Sequence, residues 1–132
     1  MSTYKILVVD DDLDDRDIMD EAFEMQGSTD HLILSSAQEV FTYLQNVEKD
    51  GDLPRMIITD LNMPGITGFE LLQALKGMQR YTSIDVFVYS TSSNRSHIDL
   101  CLAMGARDYI TKPSALDGYN QTAERIKHEL HQ

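Results

Sequence analysis

The sequence predicts an α/β protein of the doubly wound type, in which helices cover both faces of a parallel five-stranded sheet. Five short runs of β-branched and aliphatic residues recur along the chain, each bounded by polar or turn residues, at positions 4–9, 31–35, 56–60, 85–90 and 108–111. Several of these runs are apolar at consecutive positions, which is typical of strands that are buried on both faces. The five runs are therefore predicted as parallel strands.

The segments between these strands carry apolar residues at helical spacing, so each strand is followed by a predicted amphipathic helix. The apolar stripes are Ile18, Met19, Ala22, Phe23 and Met25; Val40, Phe41, Leu44 and Val47; Phe69, Leu72 and Leu75; Ile98, Cys101 and Leu102; and Leu116, Tyr119, Ala123, Ile126 and Leu130. A strand–helix unit that occurs five times predicts right-handed crossovers and a (βα)5 three-layer sandwich.

Length, charge and cysteine content limit the class of protein. The 132 residues match one domain, predicted to span residues 1–132, and the fifth helix uses residues 114–132, so no separate output domain is expected. The formal net charge of −11 disfavours binding to nucleic acid and to anionic membrane surfaces. Because Cys101 is the only cysteine and no signal segment is evident, a cytoplasmic location is expected.

Polar residues follow four of the predicted strands at their carboxyl ends. They are Asp10 and Asp11 after the first strand, Asp60 after the third, Ser90 at the end of the fourth and Lys112 after the fifth. In an open α/β sheet, ligands bind beyond the carboxyl ends of the strands, where the strand order reverses. We therefore expect three carboxylates, a hydroxyl and an ammonium group to converge at one edge of the sheet.

Carboxylates that converge in this way repel one another and require positive charge. Each pair would repel by roughly 1 kcal/mol at 4 Å in water and by about 4 kcal/mol at an effective dielectric constant of 20. Lys112 supplies one positive charge, and a cluster with few oxygen ligands suits Mg²⁺, which keeps several waters and shares phosphate oxygens with its protein ligands. The sequence therefore predicts a magnesium site.

A carboxylate beside a metal ion, a lysine and a hydroxyl suits phosphoryl transfer, in which the carboxylate attacks phosphorus. Asp60 is the candidate nucleophile, because it ends its strand alone and the turn formed by residues 62–68 follows at once. Ser90 is a candidate hydrogen-bond donor to a phosphoryl oxygen.

Four sequence blocks at these strand ends resemble the receiver domain of two-component response regulators. They read ILVVDDD at 6–12, MIITDLNMPGITGFELL at 56–72, VFVYST at 86–91 and GARDYITKP at 105–113, in order and over nearly the whole chain. The resemblance implies a flavodoxin-like, CheY-like fold with strand order 2-1-3-4-5. With no chain left for an output domain, the sequence resembles stand-alone receivers such as the phytochrome-associated response regulators.

The resemblance also implies roles for the acidic residues. Asp60 would accept a phosphoryl group from a phosphohistidine on a sensor histidine kinase or a phosphotransfer protein. Asp11 and Asp60 would bind Mg²⁺ directly, together with the backbone carbonyl of Asn62, while Asp10 would act through a water molecule. The protein would catalyse only its own phosphorylation and dephosphorylation and would otherwise be a signalling protein, not an enzyme.

The remaining roles concern phosphate contact and switching. Lys112 would contact the phosphoryl group, and its peptide bond to Pro113 is expected to be cis. Ser90 would move toward the phosphate, and Tyr109 would turn inward into the space that Ser90 leaves. A population shift on the face of helix 4, strand 5 and helix 5 would then control a downstream protein, and a homodimer through the same face is compatible with the sequence.

The acidic run at residues 10–17 divides into parts. Asp14, Asp15 and Asp17 are interpreted as a solvated helix start, because acidic side chains stabilise a helix N-terminus by typically ~0.3–1 kcal/mol. For Asp12, both a role at the helix start and a role in the site remain open. An EF-hand is rejected, because Asp15 occupies the loop position that requires glycine and a strand precedes the run.

Two other functions remain to be weighed. A phosphatase of the haloacid dehalogenase type would use Asp10 as its nucleophile, but Asp14 stands where that family expects threonine or valine. A pseudo-receiver would use the same fold for interaction without accepting phosphate, although such a scaffold has no reason to keep unpaired acids at this edge.

Overall fold

The computed structural model describes residues 3–130, which form one five-stranded parallel sheet with helices on both faces. The strands are β1 (Ile6–Val9), β2 (His31–Leu34), β3 (Met56–Thr59), β4 (Asp85–Ser90) and β5 (Asp108–Thr111). The helices are α1 (Leu13–Met25), α2 (Ala37–Gln45), α3 (Gly68–Gly77), α4 (Arg95–Ala103) and α5 (Leu116–Leu130), with one 3₁₀ turn at Asp50–Asp52. The sheet order β2-β1-β3-β4-β5 confirms the predicted fold class and topology.

Alternate residues of the central strands face opposite helical layers. In β1, Ile6 and Val8 belong to the core beneath α1 and α5, whereas Leu7 and Val9 belong to the core beneath α2, α3 and α4. All four side chains are almost fully buried. Since burial of one such side chain stabilises a fold by roughly 1.5–3 kcal/mol, the consecutive apolar residues of each strand hold the sheet between both layers.

Side-chain caps fix where the helices begin. Asp12 caps α1, Ser36 caps α2 and Asn94 caps α4, each by accepting a hydrogen bond from a backbone N–H in the first turn. Thr67 and Glu70 form a capping box at the start of α3. Such caps contribute about 1 kcal/mol each. Because these helices start just after the loops at the carboxyl edge of the sheet, the caps also position those loops.

Three residues of the predicted apolar stripes are exposed instead of buried. Met25 and Leu116 are 64% and 65% exposed, because they lie at the last position of α1 and the first position of α5, where the helices run past the sheet. Leu102 is 40% exposed. It follows buried Cys101 by one residue, and successive residues of a helix point about 100° apart.

Gly68, the first residue of α3, lies against the backbone that follows β3. Its N–H donates to the Leu61 carbonyl at 2.9 Å, and a Cβ at this position would lie 1.9 Å from the backbone oxygen of Asp60. Only glycine fits an approach this close. Gly68 therefore closes the loop of residues 60–68 around Asp60.

We expect Gly68→Ala to lower the free energy of unfolding by at least roughly 1–3 kcal/mol, because the new methyl group displaces the backbone of Asp60. Gly77→Ala is the matched control at the other end of α3, where a Cβ meets no atom within 4 Å. The control should be neutral or stabilising by up to about 1 kcal/mol. Urea unfolding followed by circular dichroism measures both changes, and equal effects would contradict this account of Gly68.

Candidate functional site

The predicted site residues converge at the carboxyl edge of the sheet, where they extend its hydrogen-bond ladder. The Asp10 N–H donates to the Leu34 carbonyl at 3.1 Å, and the Asp60 N–H donates to the Val9 carbonyl at 3.0 Å. On the other side of the sheet, the Lys112 N–H donates to the Ser90 carbonyl at 2.7 Å. The backbone of each residue is thus fixed by the neighbouring strand before its side chain makes any contact.

Three carboxylates form the acidic part of the site. Each of Asp10, Asp11 and Asp60 offers an oxygen within 4.8 Å of the others. Asp10 and Asp60 are buried, whereas Asp11 is exposed and gives the group an opening to solvent. Hard cations such as Mg²⁺ prefer oxygen ligands and retain waters on an open side, so this donor set fits such an ion.

The Lys112 ammonium lies among the carboxylates of Asp10, Asp15 and Asp60. Its Nζ lies 2.7 Å from Asp10 Oδ2, 2.8 Å from Asp15 Oδ2 and 3.3 Å from Asp60 Oδ2, and only 5% of the side chain is exposed. Burial by itself lowers the pKa of Lys112, but the hydrogen bonds to Asp10 and Asp15 and the nearby charge of Asp60 outweigh it and raise the pKa. Lys112 is therefore charged at neutral pH.

Asp60 is the carboxyl group with the most strongly perturbed environment in the acidic cluster. Burial is the largest cause that raises its pKa, the Lys112 ammonium lowers it and the Asp10 carboxylate raises it, and the combined result is a pKa of about 6. The Asn62 backbone also forms a hydrogen bond that favours the charged form of Asp60. The role of the Asn62 carbonyl as a metal ligand stays a prediction.

Asp10 is held on both carboxylate oxygens. Its Oδ1 accepts the Asp12 N–H at 3.0 Å, and its Oδ2 accepts a hydrogen bond from Lys112. The Asp10 backbone carbonyl also accepts from Arg16 Nη1 at 2.9 Å. These contacts fix Asp10 in one orientation at the start of the β1–α1 loop.

Ser90, Ser92 and Tyr109 form a second group beside the acidic cluster. The Ser90 hydroxyl is fully buried and its Oγ accepts the Ser92 N–H at 3.2 Å. The Tyr109 hydroxyl donates to the Ser92 carbonyl at 2.7 Å, and the ring is only 9% exposed. Tyr109 is thus buried and hydrogen-bonded to the loop that follows Ser90, and its turn into space left by Ser90 stays a prediction.

The acidic residues at the start of α1 make contacts that differ in part from the predicted ones. Asp12 is the N-cap, because its Oδ1 accepts the Asp14 N–H at 2.8 Å and the Asp15 N–H at 3.4 Å. Asp14 and Asp17 are exposed, as expected.

The interpretation of Asp15 as part of a solvated helix start is wrong. Asp15 contacts Lys112, and its Oδ1 accepts a hydrogen bond from Tyr119 at 3.3 Å. No local signal distinguishes Asp15 from Asp14, because both lie in the first turn of α1, where helical side chains lean toward the N-terminus and here toward the site.

The expected cis peptide bond between Lys112 and Pro113 is also not found. No cis peptide bond occurs among residues 3–130, so this bond is trans. The trans form is the lower in energy for most bonds before proline, by about 0.5–1 kcal/mol.

Comparisons with known proteins agree with the fold. The family model of the response regulator receiver domain matches residues 6–124. The two-component response regulator ARR5 of Arabidopsis thaliana is 34% identical over 118 residues, which cover 84% of this chain and 64% of that protein. None of the helices within residues 3–130 is long and apolar enough to cross a membrane.

Two solved structures are similar over most of the chain. The phosphorylated cyanobacterial phytochrome response regulator RcpA has a TM-score of 0.83 and 26% identity, covering 100% of this chain and 96% of its own. The Mn²⁺-bound form of response regulator Rcp1 has a TM-score of 0.77 and 27% identity, covering 92% and 90%. Family model, relatives and architecture agree, and the chain belongs to the response regulator receiver domain family of two-component signalling.

Proposed function

We propose that this protein is a phosphoacceptor receiver in which Asp60 takes a phosphoryl group from a phosphohistidine on a histidine kinase or a phosphotransfer protein. The observation that carries the proposal is the Lys112 ammonium, which lies between Asp60 and Asp10 at the carboxyl edge of the sheet. A buried lysine beside a desolvated carboxylate provides both a nucleophile and a positive charge for the transferring group.

Asp60 acts as the nucleophile in this reaction. One carboxylate oxygen forms a bond to phosphorus while the bond between phosphorus and the imidazole nitrogen of the phosphohistidine breaks, and the electron pair of that bond stays on nitrogen. Lys112 offsets negative charge on the phosphoryl oxygens, and the Ser90 hydroxyl donates a hydrogen bond to one of them.

A divalent cation completes the proposed site. Asp10, Asp11 and Asp60 are the residues that would hold it, with the Asn62 carbonyl as a further ligand. Mg²⁺, when bound, would neutralise charge on the phosphoryl oxygens. The Mn²⁺-bound form of Rcp1 supports a divalent cation in this fold, and the phosphorylated form of RcpA supports the phosphoryl transfer.

The signal passes from the site to a partner protein by contact. Ser90 and Tyr109 both bond to the backbone of Ser92, so movement of Ser90 toward a phosphoryl group changes the loop that holds Tyr109. The face of α4, β5 and α5 adjoins this loop, and α4 carries the exposed side chains of Leu100 and Leu102. This face would bind a downstream protein or a second copy of the chain.

Two readings from the sequence stay as alternatives. A pseudo-receiver would keep the fold without accepting phosphate, and a phosphatase of the haloacid dehalogenase type would form its intermediate on Asp10. Asp60 is proposed over Asp10 as nucleophile because Asp10 is the more deeply buried of the two, at 2% against 8% exposure, and lies closer to the Lys112 ammonium, at 2.7 Å against 3.3 Å.

We expect incubation with acetyl phosphate and Mg²⁺ to add one phosphoryl group to the wild-type protein, seen as a mass increase, and Asp60→Asn to abolish the increase. Omission of Mg²⁺ should reduce labelling strongly. Asp17→Asn, an exposed change on α1, should label normally. Labelling that persists in Asp60→Asn, or that maps to Asp10, would refute the assignment.

The same site predicts a stability effect in the metal-free protein. The pKa of Asp60 is raised from 3.8 to about 6, so the folded protein binds this proton more tightly than the unfolded chain does. Stability is therefore lost as the pH rises from about 4 to about 6, and the loss is complete above that range. Asp60→Asn should stabilise the metal-free protein at pH 7.5 by about 1–3 kcal/mol, with no gain below about pH 4.

Thermal or urea unfolding at both pH values measures this difference. Added Mg²⁺ should stabilise the wild type more than Asp60→Asn, because a bound cation offsets the repulsion between the Asp60 and Asp10 carboxylates. A wild type that ignores millimolar Mg²⁺ would favour the pseudo-receiver.

A further inference from the structure

Asp15 lies next to the reacting groups, yet the proposed reaction gives it no part. We propose that Asp15 is a positioning residue that holds the Lys112 ammonium in the unphosphorylated protein and competes for it with a phosphoryl group on Asp60. This inference rests on the proposed function of Asp60.

Lys112 can donate only a limited number of hydrogen bonds. An ammonium group has three N–H donors, and Asp10, Asp15 and Asp60 each lie within hydrogen-bond distance of Nζ. The two shortest distances go to Asp10 and Asp15, at 2.7 and 2.8 Å, and the longest goes to the phosphoacceptor, at 3.3 Å. A new phosphoryl contact must therefore replace an existing one.

Of the three acids that contact Lys112, only Asp15 lies outside the group that would hold the cation. Asp10 and Asp60 are both placed to hold the cation, and Asp10 is fixed further by the Asp12 N–H. Asp15 lies outside that cation-binding group and has another hydrogen-bond donor, the Tyr119 hydroxyl at 3.3 Å. Loss of Lys112 would thus leave the Asp15 carboxylate still partly satisfied.

Asp15 is a largely buried acid whose backbone and side chain are both held by hydrogen bonds. Only 19% of its side chain is exposed, and the Asp12 cap fixes its backbone. The Tyr119 ring packs edge-on against Tyr89, with ring centroids 6.0 Å apart, and the Lys112 Nζ lies 5.6 Å from the Tyr89 ring centroid. Two aromatic rings therefore support both partners of the ion pair.

Charge gives the direction of the exchange. Conversion of the Asp60 carboxylate into an acyl phosphate adds roughly one negative charge beside Lys112. The added charge attracts the ammonium and repels the Asp15 carboxylate. Because Tyr119 belongs to α5, the exchange also changes a contact of α5, by a route separate from Ser90 and Tyr109.

The test uses beryllofluoride, a noncovalent mimic of the phosphoryl group, with Mg²⁺ held at saturation for every variant and binding followed by ¹⁹F NMR. Asp15→Asn keeps the side-chain shape but weakens the hold on Lys112, so it should bind beryllofluoride roughly three- to tenfold more tightly than the wild type. Asp14→Asn is the matched control. It removes the same charge from the neighbouring residue, whose side chain is exposed and forms no ion pair with Lys112. Its affinity should change by less than about twofold.

A second measurement isolates the link to Lys112 without phosphate or metal. Unfolding midpoints are compared for Asp15→Asn with Lys112 present and in a Lys112→Met background, with Asp14→Asn in both. We expect Asp15→Asn to lower the midpoint relative to Asp14→Asn only when Lys112 is present. Equal shifts in the two backgrounds would show that Asp15 does not hold Lys112 and would overturn the inference.

The outcomes separate this inference from the proposed function. If the wild type binds beryllofluoride and Asp15→Asn binds it no more tightly than Asp14→Asn does, the competition is refuted while the phosphoacceptor role of Asp60 stands. If the wild type neither binds beryllofluoride nor takes up a phosphoryl group, the proposed function fails, and the competition fails with it.

Discussion

One buried ammonium group, the Nζ of Lys112, holds the carboxyl edge of this protein together. Removing a lysine from water costs several kcal/mol unless opposite charges replace the lost hydration, and here three carboxylates do so. The dependence is mutual, because Asp10 and Asp60 are themselves buried and would repel each other without Lys112. The ends of β1, β3 and β5 and the first turn of α1 therefore form one electrostatic unit.

The sheet makes this unit possible by fixing backbones before side chains meet. The amides of Asp10, Asp60 and Lys112 each donate to a carbonyl of the neighbouring strand, so the site continues the parallel ladder by one residue. The ladder is held in turn by apolar residues buried on both faces of the sheet. Gly68 adds a steric condition, since any larger residue would displace the backbone of Asp60.

Local signals in the sequence predicted most of this arrangement. Runs of consecutive apolar residues predicted strands buried on both faces, and the acids, serine and lysine that follow them marked the site. The prediction for Asp15 was wrong because one local rule fits two different structures. An aspartate in the first turn of a helix stabilises that turn whether it faces solvent or a lysine from the far end of the chain, so Asp15 and exposed Asp14 could not be distinguished by the helix alone.

The sequence by itself determined the order of strands and helices, the identity of the residues at each strand end and the excess of acid over base there. Only the tertiary structure decided which acids share Lys112, because the ion pairs join residues up to 102 positions apart. It also decided that Asp15 turns toward the site, where it contacts Lys112 and Tyr119. Such choices depend on distances of a few ångströms between separate elements, and those distances exist only once both helical layers have packed against the sheet.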